Sequence, residues 1–145
     1  MRPHLLDTNV ILCFLTQEPK HQAQQATQFF EQCERGGIPL KVSPMVIAEL
    51  VFVLTGEAYQ LPRKVVAEQL EIFLESPSFQ VEELETILLA LKVFSQGKID
   101  FVDAYLKAMA ELMDYSLTSF DQGLGRSRDL TFSKFSKIRA MKDNS

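Results

Sequence analysis

The chain has no tryptophan and, among its 145 residues, only two cysteines and two histidines. Cys13 and Cys33 resemble neither a disulfide framework nor a metal-binding cysteine pair, so we expect two buried thiols in a reducing compartment. Neither His4 nor His21 has a nearby partner in sequence. The pattern therefore offers no Ser/His or Cys/His arrangement for nucleophilic catalysis.

Long apolar runs, glycine-rich phosphate loops, low-complexity linkers and internal repeats are also missing. No apolar stretch reaches bilayer length, and the apolar N-terminus contains Asp7 and has no small-residue cleavage site. A composition of 46% hydrophobic and 23% charged residues fits one compact core. We expect a soluble cytoplasmic protein, not associated with a membrane, with a single domain over residues 1–145.

Positive charge is scarce overall, since the net charge is −4. This balance argues against a protein that holds nucleic acid by its overall charge. Basic residues crowd the C-terminal end, where Arg126 and Arg128 are candidates for a local nucleic-acid contact. The alternative is an ordinary solvated basic tail.

The stretch from Leu5 to Leu15 places one carboxylate, Asp7, inside an apolar run. The pattern predicts a buried strand that turns directly into a buried helix, with Asp7 at the carboxyl end of the strand. Ligands bind at that edge of open parallel sheets, so Asp7 is a site candidate. Alternatively, Asp7 or Asn9 only caps the following helix.

Strand and helix patterns alternate along the rest of the chain. Further strands are predicted at residues 38–43, 79–81 and 115–119, with a fifth, edge strand at 131–135. Helical spacing, bounded by Ser-Pro, Pro and Gly signals, fills the intervals. We therefore predict an α/β fold: a three-layer α/β/α sandwich with a central parallel sheet of four or five strands.

Glu49 is the only charged residue between positions 42 and 56, a segment that predicts a helix after Ser43 and Pro44. We expect this carboxylate to lie in apolar surroundings and to need a cation, a metal ion or a proton. The alternatives are a buried Arg or Lys partner, or a side chain that reaches solvent at the helix start.

Three more acids stand near predicted element ends. Asp100 and Asp103 begin a helix, where they could simply cap it and stabilise its dipole. Asp121 follows the predicted fourth strand, with Thr118 adding a hydroxyl, although it could also be an ordinary turn residue.

Parallel strands would bring Asp7, Glu49, Asp103 and Asp121 to one edge of the sheet. Several carboxylates without a basic residue among them require divalent cations, and oxygen ligands favour Mg²⁺ or Mn²⁺. One or two such ions could activate water and stabilise the charge that develops at a phosphodiester.

Four motifs in order resemble the PIN domain, most closely the VapC-type ribonuclease toxins of toxin-antitoxin pairs. They are Asp7-Thr8-Asn9, Ser43-Pro44 leading to Glu49-Leu50, Asp100-Phe101-Val102-Asp103-Ala104, and Thr118-Ser119-Phe120-Asp121. The resemblance spans nearly the whole chain and implies a metal-dependent endoribonuclease with Asp7, Glu49, Asp103 and Asp121 as the acidic site. Asn9, Thr118 and Asp100 would be polar neighbours, Mg²⁺ or Mn²⁺ the cofactor, RNA the substrate, and a small antitoxin protein the partner.

Other classes fit less well. A haloacid-dehalogenase-like phosphatase needs a second Asp at the position of Asn9, and a receiver domain needs adjacent acids and a late lysine that we do not find. A degenerate PIN-like module that binds RNA or a protein remains the non-enzymatic alternative. We also expect self-association and partner capture through apolar helix faces around residues 65–74 and 84–94, unless these faces only complete the core.

Overall fold

The structure, a computed structural model, describes residues 2–120. This part of the chain forms three short strands and six helices. In chain order they are β1 (His4–Leu5), α1 (Thr8–Thr16), α2 (Lys20–Gly36), β2 (Leu40–Val42), α3 (Pro44–Thr55), α4 (Arg63–Glu75), β3 (Phe79–Val81), α5 (Leu84–Gln96) and α6 (Phe101–Leu112).

The three strands form one parallel sheet in the order β1-β2-β3. Leu5 pairs with Lys41, and Lys41 pairs with Gln80, so the strands are aligned and end together. The backbone bond from the Leu6 amide to the Lys41 carbonyl (3.0 Å) extends the β1–β2 pairing to the residue before Asp7. The residues that follow all three strands therefore share one edge of the sheet.

The α/β class and its parallel sheet are confirmed, but the strand count is lower than predicted. Residues 115–119 do not form the predicted fourth strand, and the described part of the chain contains three strands. This segment follows α6 directly, with the Tyr115 amide bonded to the Ala110 carbonyl (2.8 Å), and is mostly exposed. Tyr115 and Leu117 alternate with polar residues, which indicates strand propensity, but strand formation also depends on tertiary context. The predicted fifth strand, 131–135, lies outside the described residues.

The helix boundaries follow the local sequence signals. Ser43 caps α3 by accepting a hydrogen bond from the Met45 amide (3.3 Å), and Pro44 occupies the first helical position. Gly37 ends α2 in the left-handed conformation, with φ of 66°, where a side chain would be strained. The predicted helices after Pro19, Pro62 and Glu83 are likewise present.

The helices and strands share one hydrophobic core. The apolar stripes of α4 and α5 lie largely inside it, including Leu70, Ile87 and Leu91, so those faces complete the core rather than form a free surface. The two helices pack against each other and α5 also packs against α6, which covers most of both stripes. The exceptions on α4 are Ile72, at 67% exposed, and Val65, at 39%.

Both cysteines are buried and free, as predicted. The Cys13 thiol lies 3.6 Å from the amide oxygen of Gln22, between α1 and α2. None of the helices between residues 2 and 120 is long and apolar enough to span a membrane.

The composition of α3 does not reveal which of its faces is buried, because nearly every residue is apolar. Leu50 is fully buried, whereas Phe52, two positions on, is 79% exposed. We predict that Leu50→Ala lowers the free energy of unfolding by about 2 to 5 kcal/mol. Phe52→Ala, the matched control on the same helix, should change it by less than about 0.5 kcal/mol. Urea denaturation measures both, and equal losses would contradict this packing of α3.

Candidate functional site

Asp7 stands at the point where β1 passes into α1. It is the N-cap of α1, and its Oδ1 accepts a hydrogen bond from the Thr8 amide at 2.9 Å. The interpretation that Asp7 caps the following helix is therefore confirmed. The side chain is nevertheless exposed, so capping does not remove the carboxylate from solvent or from a ligand.

Thr8 links the Asp7 segment to α3. It is 5% exposed, and its hydroxyl donates a hydrogen bond of 2.8 Å to Oε2 of Glu49. Thr8, which is bonded to both Asp7 and Glu49, therefore connects the end of β1 to α3. The sequence interpretation assigned no role to Thr8, although a hydroxyl directly after the first acid was the available signal.

The surroundings of Glu49 differ from the prediction. Glu49 is exposed rather than enclosed by apolar side chains. The reason is the orientation of α3, which buries Ile47 and Leu50 while Met45 and Phe52 remain about 80% exposed on the outward side with Glu49. Two exposed large apolar residues made that side look like core in the sequence.

Asp103 lies in the first turn of α6 and is half-buried. Helix α6 packs against α3, the helix that carries Glu49. Asp100 occupies the N-cap position of α6, but its side chain makes no capping hydrogen bond. The alternative that Asp100 caps this helix therefore holds for its position but not for a side-chain hydrogen bond, and its carboxylate is exposed.

The remaining predicted site residues are divided between described and undescribed parts of the chain. Asn9 and Thr118 are both exposed. Asp121, Arg126 and Arg128 lie outside the described residues.

The carboxylate oxygens of the acids are suitable ligands for a hard cation, but the acids are not grouped closely. Within residues 2–120, Asp7, Glu49 and Asp103 take part in no ion pair, so their oxygens are not neutralised by Lys or Arg. In the same part of the chain, no three acidic, histidine or cysteine side chains are grouped closely enough to hold a metal ion. Mg²⁺ does not need such a cage, because it is commonly held by one or two carboxylates together with waters and substrate phosphates. The exposed carboxylates of Asp7 and Glu49, which accept hydrogen bonds from the Thr8 amide and the Thr8 hydroxyl, fit that mode.

A cleft of about 450 Å³ opens between the first turns of α3 and α6. Its lining includes Met45, Val102, Glu82 and the hydrogen-bonded pair of Tyr105 and Glu83, whose Oη to Oε1 distance is 2.6 Å. Burial, together with the hydrogen bond to Glu83 and the negative charge of Glu83, raises the pKa of Tyr105 to about 12. The Tyr105 hydroxyl is therefore protonated at neutral pH and acts as the donor. Sequence analysis did not single out this pair, although two adjacent acids directly after a strand were a signal.

Comparison with known proteins identifies the family of the chain. The family model of the PIN domain matches residues 4–129. A protein of Aquifex aeolicus (strain VF5) named "VapC ribonuclease" is 35% identical over 109 residues, which cover 75% of this chain and 79% of that protein. No solved structure gives a significant match. A family match over most of the chain, with acids after β1 and on α3 and α6 in the predicted order, shows that the chain belongs to the PIN domain family.

Proposed function

We propose that this PIN domain is a metal-dependent endoribonuclease and the toxin of a toxin-antitoxin pair. The observation that carries the proposal is the pair of exposed carboxylates that Thr8 binds beside the carboxyl ends of the parallel strands, Asp7 through its backbone amide and Glu49 through its hydroxyl. The 35% identity to a protein named "VapC ribonuclease" supports the same activity. We further propose that the domain spans residues 1–145.

In this proposal, Asp7, Glu49, Asp103 and Asp121 are the residues that would hold Mg²⁺ or Mn²⁺. When bound, such an ion supplies an activated water and charge stabilisation for phosphodiester hydrolysis. Thr8 holds both carboxylates in place: its hydroxyl orients Glu49, and its backbone amide orients Asp7.

Polar residues around the acids complete the proposed site. Asn9, Thr118 and Asp100 are assigned as supporting polar groups, and Arg126 and Arg128 as RNA contacts. RNA needs cationic contacts to offset the repulsion between its phosphates and the exposed acids, and these arginines supply charge that the strand edge itself lacks.

The proposed protein partners are a small antitoxin protein and a second copy of the chain in the cytoplasm. Met45 and Phe52, 81% and 79% exposed on α3, offer apolar surface on either side of Glu49. Large exposed apolar side chains of this kind commonly mark an interface. A partner bound there would also cover the acidic pair.

A degenerate PIN module that binds RNA or a protein is the second candidate. The observation that favours it is the lack of three grouped acids within residues 2–120. The two functions differ in metal binding, because a scaffold has no need of a cation at its carboxylates.

We expect RNA cleavage in Mn²⁺ or Mg²⁺ and none in excess EDTA. Asp7→Asn should lower cleavage by about 100-fold or more, since metal-ion catalysis contributes several kcal/mol and each 1.36 kcal/mol is tenfold. Asparagine caps helices as well as aspartate does, so α1 should stay intact. Gel analysis of a labelled RNA measures the rate, with Glu111→Gln, an exposed change near the end of α6, as the control. Equal cleavage in EDTA and Mn²⁺ would overturn the proposal.

Asp103→Asn tests whether Asp103 is a metal ligand or only stabilises the start of α6. Without metal, removing one of several like charges should leave the melting temperature unchanged or higher. With Mn²⁺ at about 100 times its Kd, the parent should gain roughly 2.7 kcal/mol, or about 5 to 10 °C, and the variant clearly less. Thermal melts in EDTA and in Mn²⁺ test this. Equal gains in both proteins would mean that Asp103 only stabilises the start of α6.

Thr8→Val tests the link between the acids. Valine has nearly the same shape as threonine but no hydroxyl, so Glu49 loses its anchor while the buried packing stays. We expect cleavage to fall by about 10- to 100-fold, the usual cost of removing a group that orients a ligand. Stability should change by no more than about 1.5 kcal/mol. Thr55→Val, which removes only a bond to the Val51 carbonyl within α3, is the control. If Thr8→Val and Thr55→Val lose the same amount of cleavage, the role of Thr8 is contradicted.

A further inference from the structure

Arg63, at the start of α4, directs its guanidinium at backbone carbonyls rather than at carboxylates. Its Nη1 donates to the carbonyls of Ile99 (2.5 Å) and Phe94 (3.3 Å). Its Cζ lies 4.2 Å from the centroid of the Phe94 ring, within cation–π distance. Across residues 2–120 it takes part in no ion pair. Its interactions are thus directed at the connection between α5 and α6.

That connection is short, since α5 ends at Gln96 and α6 begins at Phe101. The Phe94 carbonyl is one of the last four of α5, which have no partner within the helix, and a cation is favoured there. The Ile99 carbonyl lies just before the N-cap of α6. A single guanidinium therefore joins the end of one helix to the start of the next.

The start of α6 depends on such outside contacts, because Asp100 makes no side-chain capping bond. Phe101, the first helical residue, is buried and packs edge-on against Phe94, with ring centroids 6.0 Å apart. One turn later, the Tyr105 hydroxyl is bonded to Glu83, at the start of α5. Asp103 lies between these two points of attachment.

We propose that Arg63 and Tyr105 are positioning residues that hold the first turn of α6 and so place the carboxylate of Asp103 at the acidic site. This inference rests on the proposed function, in which Asp103 is a metal ligand. Neither residue is assigned contact with RNA or the metal. Groups that orient a ligand from outside typically change metal affinity or activity by 10- to 100-fold when removed.

The test is a calorimetric titration of the full chain with Mn²⁺ in the absence of RNA. Arg63→Met keeps an unbranched side chain beside Phe94 but removes every donor to Ile99 and Phe94, and Tyr105→Phe removes one hydroxyl. We expect the Kd for Mn²⁺ to rise about tenfold in Arg63→Met and by a smaller factor in Tyr105→Phe. Lys64→Met, the matched control, removes the same charge from the next, exposed residue of α4 and should keep the Kd of the parent.

A purely structural role for either residue predicts a different pattern. If a variant is partly unfolded, the number of Mn²⁺ sites measured by calorimetry falls while their Kd stays the same. Thermal melts detect the unfolded fraction directly. Misplacement of Asp103 should instead raise the Mn²⁺ concentration needed for half-maximal cleavage, while the KM for RNA stays that of Lys64→Met. Arg63→Lys, which retains the charge and can reach one carbonyl, should recover part of the affinity.

The outcomes separate this inference from the function on which it rests. Parent-like Kd values in Arg63→Met and Tyr105→Phe, together with loss of Mn²⁺ binding in Asp103→Asn, would refute the positioning role and leave the nuclease proposal standing. No Mn²⁺ binding by the parent would overturn both. If Arg63→Met does not fold, Tyr105→Phe decides, because it changes no buried packing.

Discussion

The parallel register of the three strands is the constraint on which the rest of the site depends. Because β1, β2 and β3 run in one direction and end together, the chain leaves the sheet three times at the same edge. Helices α1 and α3 start there, and they bring Asp7 and Glu49 with them. The strands themselves have only two or three residues each, so the surrounding helices must supply most of the buried area that keeps this register.

The Thr8–Glu49 hydrogen bond shows how such an edge tolerates acids close together. Both carboxylates stay exposed, where water screens their repulsion, and backbone and hydroxyl donors fix their orientation instead of a neutralising cation. In the proposed function, a buried Lys or Arg would neutralise these acids and take the place of the metal ion. An arrangement with fixed acids and no counter-charge is therefore better suited to a cation that comes and goes than to a permanent salt bridge.

Much of the fold could be predicted from local signals. Pro19, Ser43-Pro44 and Gly37 mark helix ends that depend on one or two residues, and the structure has the helices they indicate. Glu49 and residues 115–119 behaved differently, because burial and strand formation depend on what lies opposite. Local periodicity in an all-apolar helix cannot distinguish Leu50, which is buried, from Phe52, which is exposed. Likewise, the alternating pattern of residues 115–119 indicates strand propensity, but tertiary context decides whether such a segment forms a strand.

The difference between local signals and tertiary contacts also applies to the site residues. The acids could be listed from the sequence because carboxylates at predicted strand and helix ends are visible there. The long-range contacts of their neighbours could not, since Thr8 donates to Glu49 across 41 positions and Arg63 donates to Ile99 across 36 positions. Such contacts appear only once helices distant in sequence pack together. In the proposed function, the acids of the site owe their geometry to buried or half-buried neighbours, so changes in those neighbours would alter metal binding without removing any ligand.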